Sequence, residues 1–63
     1  MLLQEDRLLS QKELAEMLRV SIEQLRLWRN KGIGPSYFRV GHAIRYRDVE
    51  VERWLREQEQ AAS

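Results

Sequence analysis

Arg26, Arg29 and Asn30 stand three and four residues apart in a segment, Gln24 to Arg47, that also carries Lys31, Arg39, Arg45 and Arg47 and no acid. Guanidinium groups pair with phosphate oxygens or with the acceptor edge of guanine, and the amides of Gln24 and Asn30 suit adenine. The chemistry open to such a set is recognition of a polyanion. The two flanks hold five basic and ten acidic residues, so the formal net charge of +1 conceals a positive middle between negative ends. Taken alone, a charge run is usually a solvated surface; segregation on this scale points to a polyanionic partner.

Residue types for catalysis are scarce. A single histidine, His42, without any cysteine cannot assemble a usual zinc set, and the acids fall on solvated faces. The three glycines are all claimed by turns, leaving no phosphate-cradling loop. No enzymatic activity, metal or cofactor is expected. No apolar run approaches the ~20 residues that span a bilayer. The opening "MLLQEDRLLS" places Glu5 and Asp6 where a secretory signal needs basic and then apolar residues. A cytoplasmic location with no membrane partner is the expectation.

The elements that must position the cations can be read from local chemistry. Sixty-three residues make one small domain near the lower limit for folding unaided. Ser10 with Glu13 has the spacing of a capping box, and Leu9 with Leu14 that of a hydrophobic staple. Ser21 with Gln24, and Val20 with Leu25, repeat both devices eleven residues later. The spacing predicts a helix over 11–18, a tight turn, and a second helix over 22–31 stopped by Gly32. Leu14, Ala15 and Leu18 line the inner face of the first, with Met17 at its margin; Leu25, Trp28 and Ile22 line that of the second. Glu23, Gln24, Arg26, Leu27, Arg29 and Asn30 then lie outward.

Residues 37–47 alternate apolar and basic with the period of a half-buried hairpin. A three-residue loop, Gly41-His42-Ala43, would pair Val40 with Ile44, Arg39 with Arg45 and Phe38 with Tyr46, gathering every arginine on one face. Arg39 opposite Arg45 would then be a costly like-charge pair unless an anion lay between them. A last helix over 48–59 starts on Asp48 and Glu50, acids that suit a helix N-terminus. It carries a stripe of Val51, Trp54, Leu55 and Gln58, before a frayed tail at 61–63. The order gives a mainly α fold with a small β-hairpin: a winged helix-turn-helix domain of helix-turn-helix, two-stranded wing and C-terminal helix.

Four motifs in this order, "LLSQKELAEMLRVS", "LRLWRNKGIGP", "FRVGHAIRYR" and "VERWL", resemble the MerR-like winged helix-turn-helix DNA-binding domains of the excisionase and AlpA-type group. The sequence departs from that pattern at Arg19, where such domains commonly place glycine, and at His42, where arginine is frequent. The resemblance implies an excisionase, or recombination directionality factor, of a phage or mobile element in a bacterial host cell. Such a protein binds and bends double-stranded DNA at an attachment site and helps an integrase excise the element by site-specific recombination. An AlpA-type transcription regulator would use the same surface, as would the DNA-recognition part of a packaging terminase small subunit. A protein-interaction module that never meets DNA is the reading from another class.

On the DNA-binding reading, the second helix enters a major groove and the wing an adjacent minor groove. Arg26, Arg29 and Asn30 are then expected at bases or phosphates, with Ser21, Glu23 and Gln24 at the helix entrance. Arg39, His42 and Arg45 serve the wing, and Lys31 and Arg47 neighbouring phosphates. Neutralising about five phosphates predicts a slope of log affinity on log salt of roughly −4 to −5. Acidic Glu50, Glu52, Glu57 and Glu59 offer a surface to the basic middle of a second copy on a neighbouring site, or to an integrase.

Overall fold

The computed structural model describes residues 7–62. It shows a winged helix-turn-helix fold whose elements run β1 (Leu8–Ser10), α1 (Gln11–Leu18), α2 (Ile22–Lys31), β2 (Phe38–Val40), β3 (Ala43–Arg47) and α3 (Asp48–Ala62). The three strands form one antiparallel sheet in the order β1-β3-β2.

Local chemistry explains the helix-turn-helix. Ser10 and Glu13 close a full capping box: Ser10 Oγ accepts from the Glu13 amide at 3.1 Å, and the Glu13 carboxylate accepts from the Ser10 amide at 2.9 Å. At Ser21 the serine half of the second box is in place, its Oγ accepting from the Gln24 amide at 3.0 Å. Both helices end in Schellman motifs. The Val20 and Arg19 amides bond back to Ala15 and Glu16 carbonyls, and those of Ile33 and Gly32 to Trp28 and Arg29. Each motif needs a left-handed residue, supplied by Gly32 at φ 72° and by Arg19 at φ 60°. A Cβ makes that conformation unfavourable, so the arginine costs about 1 kcal/mol that glycine would not.

Leu9, Leu14, Ala15, Leu25, Ile44, Tyr46 and Val51 form the buried core, with Leu18, Val20, Trp28 and Leu55 packed around it. Trp54 of α3 meets Trp28 of α2 with ring centroids 5.2 Å apart, tying the last helix to the second. Gly34, at φ 85°, passes so close to Trp28 that an added Cβ would sit 3.0 Å from its Cβ. Ile22, expected inside, is 46% exposed, and Gln58 lies on the solvent side of α3.

Three further expectations are corrected. Leu8–Ser10, read only as the approach to a helix cap, is a strand, with Leu8 opposite Arg47, Leu9 opposite Tyr46 and Ser10 opposite Arg45. Arg7 and Asp48 extend this pairing through two bonds, Asp48 N–H to the Arg7 carbonyl at 2.9 Å and Arg7 N–H to Asp48 Oδ1 at 3.1 Å. The hairpin turns through two residues, Gly41-His42, not three: Val40 faces Ala43, Arg39 faces Ile44 and Phe38 faces Arg45. Gly41 has φ 63° while His42 does not have positive φ, the pattern of a II′ turn, whose twist matches that of the flanking strands. Turn geometry thus prevailed over tidy alternation, and the strand is short enough to leave Val40 53% exposed. Finally, α3 continues through Ala61 and Ala62, where fraying was expected; Ser63 lies outside the described residues.

Candidate nucleic-acid interface

The corrected register redistributes the arginines. Residues directly opposite in an antiparallel sheet share a face, and faces alternate along each strand. Arg39 therefore shares a face with Ile44, Tyr46 and Tyr37, whereas Arg45 and Arg47 lie on the other with Phe38. The anticipated Arg39 and Arg45 repulsion does not arise. Arg45 Nη1 instead donates to the Ile44 carbonyl at 2.8 Å, and the Arg47 guanidinium lies 5.2 Å from the centre of the Phe38 ring. Arg45 also stands opposite Ser10, beside the capping box of α1. The backbone bond from Ser10 holds the Glu13 carboxyl below its ordinary pKa; partial desolvation opposes this, while the Ser10 hydroxyl and the charges of Arg7 and Arg45 assist.

Arg29 has a role that its spacing did not reveal. Its Nη1 donates to Tyr46 Oη at 2.9 Å, and its guanidinium sits 5.7 Å from the Tyr37 ring centroid. Tyr46 is 1% exposed, so its hydroxyl depends on a protein partner. Tyr37 packs on Tyr46 at 6.2 Å between centroids. Arg29 therefore links the C-terminal half of α2 to the inner face of the wing. The link brings the two basic segments side by side, with Arg39 on the sheet face that α2 meets.

The remaining candidates sit as follows. Ser21 is committed to its cap, and Gln24 is half-buried in the first turn. Glu23, Arg26, Asn30 and Lys31 are exposed on α2, with Arg26 paired to Glu23 on the same surface. Arg39 and His42 are exposed at the tip of the wing. The fold thus leaves Arg26, Asn30, Lys31, Arg39 and His42 exposed as polar groups, and Arg29, Arg45 and Arg47 half-buried. Leu27, 46% exposed among the polar groups of α2, completes this surface.

A groove of about 490 Å³ lies elsewhere, between α1, β1 and α3. It is lined by Leu9, Met17, Asp48, Val49, Val51, Glu52 and Leu55, of which Glu52 also belongs to the acidic surface read from the sequence. Among the described residues, no helix is long and apolar enough to cross a membrane.

A family model described as a helix-turn-helix domain matches residues 8–59, from the start of β1 into the last turns of α3. No curated protein matches the chain. No solved structure matches it either.

Proposed function

The chain belongs to the helix-turn-helix domain family, and from that premise we propose that it is a sequence-specific excisionase. It binds and bends attachment-site DNA and promotes integrase-mediated excision of a phage or mobile element, contributing no catalytic step itself. One observation carries the DNA-binding part: Arg29 fastens the recognition helix to the wing, leaving Arg26, Lys31 and Arg39 exposed on adjoining elements. Two such elements match the major- and minor-groove reach of winged domains. The excisionase part is supported by the motif resemblance alone.

The proposed contacts are Asn30, Arg26 and Lys31 from α2 and Arg39 and His42 from the wing. Arg29, Arg45 and Arg47 act behind them, holding the surface in shape. A unit this small binds modestly, so occupancy is raised by further copies on neighbouring sites. The acids of α3 (Asp48, Glu50, Glu52, Glu57 and Glu59) outnumber Arg53 and Arg56 and supply the contact to a second copy or to an integrase. The place of action is the bacterial cytoplasm, on DNA.

The test is a mobility-shift titration on attachment-site duplex, with and without integrase, joined to an excision reaction in vitro. Retarded complexes and excision that depends on the protein are expected; Arg26→Glu with Arg39→Glu removes both. Binding to a promoter with no effect on excision assigns the chain instead to the AlpA-type regulators. Unchanged DNA affinity after the double charge reversal returns it to the protein-interaction class.

A further inference from the structure

We propose that α2 reads thymine through its methyl group, with Leu27 as the reading side chain and Asn30 as the amide partner of a nearby adenine. The inference rests on the DNA-binding reading above and gives it a substrate preference for A·T pairs at the centre of the site.

An exposed leucine needs no explanation by itself. Here its position and its neighbours supply one. Leu27 lies one turn after Glu23 and one turn before Asn30 and Lys31, so it occupies the middle of the outward face of α2. Residue types would assign the central contact to Arg26 or Arg29 on guanine. The structure withdraws Arg29, which is held against Tyr46 and Tyr37, and Arg26, exposed and paired with Glu23, flanks the centre of this face as a phosphate contact. The group left projecting at the centre is a branched alkyl chain, 46% exposed. In the major groove of unmodified DNA, the C5-methyl of thymine is the one apolar feature a base edge presents. Asn30, exposed three residues further along the helix, carries the donor and acceptor pair that matches adenine N7 and N6.

The experiment isolates the methyl. Duplexes are selected with the protein from a random-sequence pool, and each thymine of the selected site is replaced in turn by deoxyuridine, which pairs identically but lacks the C5-methyl. At one position the wild-type protein loses about fourfold in affinity, the worth of one methyl group removed from water. Leu27→Ala binds the thymine and deoxyuridine duplexes equally at that position. Leu27 is outside the core cluster and alanine favours helix, so this variant melts as the wild type does. A selected site without thymine, deoxyuridine tolerated at every position, or a thymine preference that survives Leu27→Ala overturns the inference while leaving DNA binding intact. Failure to select or retain any duplex overturns the DNA-binding reading itself.

Discussion

Removing the hydroxyl of Tyr46 and the guanidinium of Arg29, separately and together, measures the link on which the surface depends. A hydrogen bond to a charged group contributes about 1.5–3 kcal/mol where both partners are sheltered. Arg29 is only half-buried and can turn to water when the phenol oxygen is gone, so Tyr46→Phe is expected to cost about 1 kcal/mol. Arg29→Met is worse, about 2 kcal/mol, because it strands a hydroxyl on a residue 1% exposed. The double variant strands no hydroxyl and should lose only about 1 kcal/mol, the net worth of the bond itself. The cycle therefore yields a coupling of about 2 kcal/mol. Urea unfolding followed by far-ultraviolet circular dichroism gives the three values. Each kcal/mol corresponds to a shift of roughly 4–8 °C in midpoint for a domain of this size. DNA binding supplies a second readout. Tyr46 cannot touch a ligand from inside the core, so Tyr46→Phe should weaken binding while leaving the salt slope unchanged, whereas losing a phosphate contact reduces its magnitude by about 0.9. Effects that add within about 0.4 kcal/mol would refute the link, and a changed salt slope in Tyr46→Phe would refute its supporting role.

Arg19→Gly relieves the left-handed residue between the two helices. It should raise stability by about 1 kcal/mol, read as a higher midpoint in a thermal melt; no gain would mean that the arginine side chain compensates its backbone. Glu13, whose carboxyl is held below its usual pKa by the capping box, contributes stability that is fully present above the unfolded glutamate value of about 4.3 and is lost as pH falls through the lower folded value. Between about pH 6 and about pH 3 the wild type should lose more stability than Glu13→Gln, and parallel pH profiles would exclude this contribution. Because Arg29, Arg45 and Arg47 are half-buried and bonded or stacked within the protein, the exposed cations of the segment Gln24 to Arg47 are Arg26, Lys31 and Arg39. The slope of log affinity on log salt should then be about −2.7, not the steeper value suggested by counting arginines, and a titration between about 50 and 200 mM salt distinguishes the two.

The divide between what was legible and what was not follows the range of the interactions. Both ends of α1 and α2 could be located from residues within five positions of each other, because serine caps and Schellman turns are satisfied locally. Trp54 could be assigned to packing for the same reason: its place on a helical stripe is a property of adjacent turns. The short strand at Leu8–Ser10 carried no alternating pattern of its own and exists because β3, nearly forty residues away, offers it an unpaired edge.

The sequence by itself determined the order of elements, the helix-turn-helix and the concentration of cations in the middle of the chain. Tertiary structure alone decided which cations remain available. Register is a choice between two chains of hydrogen bonds, and it sent Arg39 to one face and Arg45 and Arg47 to the other. A buried phenol that needs a donor drew Arg29 inward across the gap from α2 to the wing. A residue's type states what it can bind; the neighbours that folding brings to it determine what it is free to bind.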